Sequence, residues 1–324
     1  MYRFWVVIML AAPALAGGPV YELRGRLMPE GPASGHPASG HPAAVSLFGQ
    51  TTPFQAQTET DPEGRFRFRN LLAATYTVAV YVPGRGEARE TAEIGPGTAD
   101  SRRRVNLSLR FQDSDFVFND AIRRRYSVST SQLAIPPAAL RDYQEAAKDL
   151  GRHDAESAVK RLEHAVELAP QFVDAWNDLG TIAYQAGEYN RAEQCFRTAL
   201  DQDPSAYEPL VNLGGVLVTL QKVADALMYN QDAVLLRPND ALANSQLGMA
   251  YFQANNYDLA VKYLEIARQI DPSHFSHPQL VLAEIHLRRG EKGAAADVLE
   301  EFLKYHPDFP TAAKMRENIA RLRN

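Results

Sequence analysis

Apolar positions change their period near the middle of the chain. From Pro19 to Arg110 apolar and polar residues alternate, as in Tyr21-Glu-Leu-Arg-Gly-Arg-Leu27, Arg65-Phe-Arg-Phe-Arg69, Tyr76-Thr-Val-Ala-Val-Tyr81 and Val105-Asn-Leu-Ser-Leu109. A period of two marks strands that turn one face to a core. Val45–Phe48, Ala56–Thr60 and Ala88–Ile94 alternate more weakly, and Asp61-Pro-Glu-Gly64, Pro83-Gly-Arg-Gly86 and Gly95-Pro-Gly97 supply turns. Seven short strands in this stretch predict an antiparallel β-sandwich over residues 19–110. Phe66 and Phe68 then point inward, while Arg65, Arg67 and Arg69 meet water. Tyr21, Phe48, Tyr76 and Tyr81 are read as core.

Beyond Ala139 the period becomes helical, and the pattern itself repeats every 34 residues. Leu179-Gly180 returns as Leu213-Gly214 and Leu247-Gly248; Ala192, Ala199 and Pro204 return as Ala226, Ala233, Pro238 and Ala260, Ala267, Pro272. The frame extends back to Ala146, Ala158, Ala165 and Pro170, and forward to Leu282, Ala295 and Pro307 after one inserted residue. Five units follow, at residues 139–172, 173–206, 207–240, 241–274 and 275–309, with a capping helix over residues 310–324. Within a unit, Trp176, Leu179, Gly180 and Ala183 make one apolar stripe, and Ala192, Phe196 and Ala199 make another. Gly187 allows the turn between them, and Asp203-Pro204 stops the second helix. One such pair cannot bury its own apolar face, but a stack can, so an all-α solenoid is expected after the all-β domain.

Trp176, Leu179-Gly180, Tyr189, Ala192, Phe196, Ala199 and Pro204 resemble the tetratricopeptide repeat family. The outer units depart from its pattern at Glu145, Ala283 and Phe302, as end units of an array do. In the first half, the run from Thr60 to Tyr76, with Asp61, Gly64, Phe66 and Phe68 followed by Leu72 and Tyr76, resembles the carboxypeptidase regulatory-like domain, a prealbumin-like sandwich. Ala74 stands where that family places a Gly. The second resemblance implies a structural or adhesive module, the first a surface that binds other proteins.

Composition narrows the function. A net charge of −5 argues against a nucleic-acid partner. Met1–Ala16 carries Arg3, an apolar run and Ala14-Leu-Ala16 before Gly17, which reads as a signal peptide over residues 1–16. The expected location is then the periplasm or the exterior of a bacterial cell, with no stable membrane insertion after cleavage; an uncleaved anchor is the alternative. Cys195 stands alone on a second helix and reads as a small buried hydrophobe. His36 and His41 lie in a duplicated Gly/Pro/Ser loop without a third ligand, so no metal is expected. Residues 111–138 read as an extended joining segment, with Pro136-Pro137 holding off any helix until Ala138. The triplets Arg102–Arg104 and Arg123–Arg125 bracket its start and read as solvated, contact with an anionic surface being the alternative.

No phosphate loop, nucleophile elbow or metalloprotease helix occurs, so neither catalysis nor a cofactor is expected. What remains is a scaffold holding a peptide or helix of another protein in the concave groove. Its alternative is a cell-envelope adhesion or carbohydrate-binding protein acting through the sandwich. In the resembled family the first helices line that groove. One row through the units is Leu150, Tyr184, Val218, Phe252 and Leu287, beside Thr181 and Met249, with Asn177, Gln185, Gln253 and Arg288 at the polar edges. Part of the row alternatively packs against neighbouring helices. Asn177 and Asn212 fit relatives that clamp a C-terminal carboxylate, but the basic partners of such a clamp are missing.

Overall fold

A computed structural model describes residues 18–28, 42–83, 85–112, 115–116 and 135–323. The expected signal peptide, the His36/His41 loop, Arg123–Arg125 and most of the joining segment lie outside the described residues.

The alternating half forms β1 (Tyr21–Leu27), β2 (Ala44–Gly49), β3 (Gln55–Glu59), β4 (Arg65–Leu71), β5 (Ala74–Val82), β6 (Gly86–Ile94) and β7 (Arg104–Leu109). They make two sheets, of order β4-β1-β7 and β3-β2-β5-β6. Tyr21, Leu23, Phe66, Phe68, Leu71, Tyr76 and Val105 meet in the shared core, and Tyr76 is 0% exposed. Gly25 stands directly opposite Phe66, where a Cβ would lie 1.9 Å from the ring, so the phenyl group closes over a bare backbone. Four of the five strand pairings are antiparallel, and β1 with β7 is parallel, from Glu22 opposite Arg104 to Leu27 opposite Leu109. Period alone says which face is apolar and not which strand is the neighbour.

Two residues read as core are not there. Phe48 and Tyr81 are half-buried on the other face of the four-stranded sheet. Alternation counted from buried Val45 and Tyr76 places them so, being an odd number of residues away.

The helical half contains α1 (Pro137–Gly151), α2 (Ala155–Leu168), α3 (Val173–Gln185), α4 (Tyr189–Gln202), α5 (Tyr207–Thr219), α6 (Val223–Leu236), α7 (Ala241–Gln253), α8 (Tyr257–Ile270), α9 (Pro278–Arg288), α10 (Lys292–Tyr305) and α11 (Ala312–Arg323). The first helix opens on Pro137, not after it, because the first helical position needs no N–H donor. The turn inside each pair takes one left-handed residue at the same repeat position: His153, Gly187, Gln221, Asn255 and Gly290, with φ between 58° and 79°. Only two of these are Gly; elsewhere helix packing imposes the conformation against an ordinary side chain's preference. The connections between pairs are closed differently. At three of them a side chain takes the closing Pro carbonyl: Trp176 Nε1 donates to Pro170 O at 2.8 Å, Asn244 Nδ2 to Pro238 O at 2.8 Å and Gln279 Nε2 to Pro272 O at 2.6 Å. Asn and Gln thus do for later units what the indole does for the second.

By internal contacts the chain forms two units. One holds the sandwich up to Ile94 and Ala99–Leu213; the other holds Gly95–Thr98 and Gly214–Asn324, the boundary falling inside α5. In the first, Ile135, Leu150, Leu162, Phe172, Leu179 and Cys195 belong to one core. In the second, Leu264, Val281, Leu282, Ile285 and Val298 form one cluster, and Phe302, Leu303, Ala312 and Ile319 another, with Met315 and Leu322 of α11 packed on it.

Candidate functional site

In the second unit α7 and α9 open consecutive repeats, which sets Phe252 and Leu287 at the same repeat position. The Phe252 and Tyr257 rings are tilted at 5.8 Å, and the Arg288 guanidinium lies 4.8 Å from the Phe252 centroid and 5.6 Å from that of Tyr257. Arg288 Nε donates to Glu284 Oε1 at 2.8 Å, one helical turn back, and Nη1 donates to Tyr257 Oη at 2.7 Å. Glu284 beside it raises the pKa of the Arg288 guanidinium. The Arg288 side chain remains 45% exposed, so this ion pair adds little stability. Its effect is orientation: the cation is fixed over an aromatic face with its Nη2 end open among the described residues. Met249 and Leu287 are half-buried, and Met249 packs on the same core cluster as Phe252 and Tyr257. Val218, 7% exposed, is core in its side chain and takes part through its carbonyl, which accepts from Gln253 Nε2 at 2.9 Å. Gln253 is therefore a lock between successive repeats on one side, with its Oε1 buried and unpartnered.

In the first unit the polar residues of the row already have partners. Asn212 Nδ2 donates to Asn177 Oδ1 at 2.9 Å, so the two Asn hold each other. Thr181 Oγ1 donates to the Asn177 carbonyl of its own helix at 3.0 Å, and Tyr184 packs on Tyr189 at 5.5 Å. Gln185 Nε2 donates to Gly49 O at 2.9 Å and to Gln50 O at 3.4 Å, both in the sandwich. Further contacts join sandwich and helices here: Phe54 and His153 rings at 5.0 Å, His153 Nε2 to Asn70 O at 2.9 Å, and Arg89 between Glu87 at 2.7 Å and Glu208 at 2.8 Å. Gln185 thus faces the chain's own β-domain. Tyr257, which helps position Arg288, and the contacts from Gly49, Arg89 and Glu208 were missed from sequence, whereas Glu284 occupies the repeat position of Thr181 and Met249. The Glu284–Arg288 spacing of four was the one available signal; the sandwich contacts join residues too far apart in the chain to leave any.

Among the described residues no group of His, Cys, Asp and Glu could hold a metal ion. His274 and His277, in the longer connection that takes up the inserted residue, meet His306 from the end of α10, His277 lying 4.5 Å from the His306 ring with φ 51°. Burial drives the pKa of His277 down to about 3 and lowers that of His274, so both are neutral. Ser276 Oγ donates to Ser245 Oγ at 2.7 Å and pairs with His274 Nδ1 at 2.6 Å, while His277 Nδ1 is buried without a hydrogen-bond partner. Cys195 is buried, and that burial raises its thiol pKa, as for a small packed hydrophobe.

Two family models match the two halves. The carboxypeptidase regulatory-like domain matches residues 32–110, and the middle TPR-like domain of cilia and flagella-associated protein 70 matches residues 153–272. The chain is 28% identical over 181 residues to the human cell division cycle protein 16 homolog, covering 52% of this chain and 29% of that protein. It is 27% identical over 172 residues to anaphase-promoting complex subunit 7 of Arabidopsis thaliana, covering 52% and 30%. The chain therefore spans less than a third of the length of these relatives. Among solved structures, PilW, a type IV pilus biogenesis factor, superposes with a TM-score of 0.52 at 21% identity, covering 58% of this chain and 86% of that one. With both models matching in chain order over the folds described, the protein is a tetratricopeptide repeat protein whose helices follow a carboxypeptidase regulatory-like β-sandwich.

Proposed function

We propose that the protein is an exported, non-catalytic scaffold that holds a peptide or helix of another protein on the α7–α9 face of its second unit. The observation that carries this reading is Arg288, held by Glu284 and Tyr257 over the half-buried Phe252 ring, with Met249 in the same cluster and Leu287 at the repeat position of Phe252. An apolar floor with one oriented cation suits a segment that presents an apolar side chain next to a carboxylate. Support for a protein partner comes from the tetratricopeptide repeats, and one relative is by its name a subunit of a complex. In the first unit Gln185 is engaged by Gly49 and Gln50, which leaves the second unit as the open part of the expected row. Export rests on the sequence of residues 1–16 alone.

The test is a photo-crosslinking residue placed at Met249, Leu287 or the outward-facing Met228 in cells of the natural host. A partner protein captured from positions 249 and 287 and not from 228 supports the reading. It should be lost in Arg288→Ala and weakened about tenfold or more in Phe252→Ala. Equal capture from 228, or none from 249 and 287, removes this face as the binding site.

A further inference from the structure

The two faces of the three-stranded sheet differ completely. Inward it gives Leu23, Phe66, Phe68 and Val105 to the core. Outward, β1 shows Glu22, Arg24 and Arg26, β4 shows Arg65, Arg67 and Arg69, and β7 shows Arg104, Asn106 and Ser108. Arg102 and Arg103 stand exposed at the turn into β7. Arg65 is taken by Asp61 at 2.8 Å and Glu63 at 2.7 Å. For the rest, one carboxylate serves four guanidinium groups: Glu22 lies 3.1 Å from Arg24, 3.6 Å from Arg67, 3.8 Å from Arg104 and 3.9 Å from Arg69. Asp100, at the turn, accepts from the backbone N–H groups of Arg102 and Arg104. Arg26, Arg102 and Arg103 have no side-chain acid partner among the described residues. A protein of net charge −5 therefore gathers an excess of arginine on one sheet face.

The register makes this more than a solvated edge. Arg24 stands directly opposite Arg67, and Arg26 directly opposite Arg65. Like charges directly across a sheet oppose folding, so the face is not arranged for stability. The contacts that join the sandwich to the helices do not use it either: they run through Gly49, Gln50, Phe54, Gln55, Asn70 and Arg89.

We infer that this arginine face adsorbs the protein to an anionic phospholipid membrane surface. Its shape and chemistry select that occupant. The face is one side of a three-stranded sheet, about 10 Å across and about 20 Å long from the spacing and rise of its strands. No aromatic side chain stands among its outward positions, and single-stranded nucleic acid is held by stacking on such rings. It has no apolar centre, where a protein interface excludes charge and buries its hot spots. Nor does it carry the apolar residues that insert into a bilayer. What remains is electrostatic attraction to a plane of phosphates, which arginine forks match. Adsorption of this kind is reversible and screened by salt, and it involves no insertion.

The experiment is co-sedimentation of the full chain with vesicles of phosphatidylcholine and phosphatidylglycerol at three to one, against vesicles of phosphatidylcholine alone. Each arginine near an anionic surface contributes about fivefold in affinity, so Arg24→Gln/Arg67→Gln/Arg69→Gln should lose about 100-fold on anionic vesicles. Glu22→Gln should bind more tightly, and raising salt from 0.1 to 0.5 M should release the wild type. A circular-dichroism melt shows whether each variant is folded. If the triple variant is unfolded, the Glu22→Gln gain and the salt release carry the test. Binding that is equal on neutral vesicles, unchanged in a folded triple variant, or absent from anionic vesicles overturns the inference. So does tighter binding to polyglutamate or to an oligonucleotide than to anionic vesicles, which would move the face to an acidic protein or a nucleic acid.

Discussion

Asn230 of α6 is the position where the repeat frame and the structure disagree most. It falls at the place of Phe196 and Leu264 in the neighbouring units, it is 0% exposed, and neither its Oδ1 nor its Nδ2 has a hydrogen-bond partner. It fills the notch over Gly214, whose added Cβ would lie 2.0 Å from Asn230 Oδ1, just as an added Cβ on Gly248 would lie 2.6 Å from Leu264 Cγ. Asn and Leu branch alike at Cγ, so Asn230→Leu should fit the same notch. Removing an unpaired buried amide relieves about 1–3 kcal/mol, and burying two methyl groups in its place adds about 1–2 kcal/mol. The expected gain is about 2–5 kcal/mol. With a urea m-value of about 2 kcal/mol per molar, the midpoint should rise by about 1–2.5 M. The assay is urea unfolding followed by circular dichroism at 222 nm, since repeat stability passes mainly to neighbouring units. Asn230→Asp, which buries an unpaired charge, should lower the midpoint instead. A midpoint for Asn230→Leu at or below that of the wild type refutes the reasoning, because it means the amide is partnered in solution.

Three further outcomes are expected. Because the folded pKa of His277 is depressed to about 3, the unfolded chain takes up its proton first, so stability is full above about pH 6.5 and falls as pH drops below it. At about 1.4 kcal/mol per pH unit this residue alone should cost about 2 kcal/mol by pH 5. The groups facing it are His274, His306, Phe302 and Phe309, with no acid among them to hold the proton. Urea melts at pH 7.5 and 5 measure the loss, and His277→Asn, which tolerates the left-handed backbone, should shrink it; a pH-independent midpoint would refute the burial argument. Gln221, left-handed at φ 58° where two other units place Gly, should gain up to about 1 kcal/mol on Gln221→Gly, read from the same melts, whereas a loss would mean its side chain packs usefully. Protein recovered from its natural host should begin at Gly17, and an N-terminal mass that retains Met1 would end the cleaved-signal reading.

The sequence by itself determined what depends on period and spacing. Alternation located seven strands and their inward phenylalanines, and the 34-residue frame located the paired helices, because each pattern follows from where successive side chains point. The same rule, counted through from Val45 and Tyr76, places Phe48 and Tyr81 on the outer face. Only the tertiary structure decided what spacing does not encode. The parallel pairing of β1 with β7 joins strands from opposite ends of the sandwich. The meeting of Gln185 with Gly49 joins the two domains, and the stacking of Arg288 on Phe252 and Tyr257 joins successive repeats. The arginine face needed both: alternation showed Arg65, Arg67 and Arg69 pointing outward, but the strand register set Arg24 beside Arg67 around a single Glu22. Local pattern fixes the direction of a side chain, whereas its neighbours depend on which distant segments pack together.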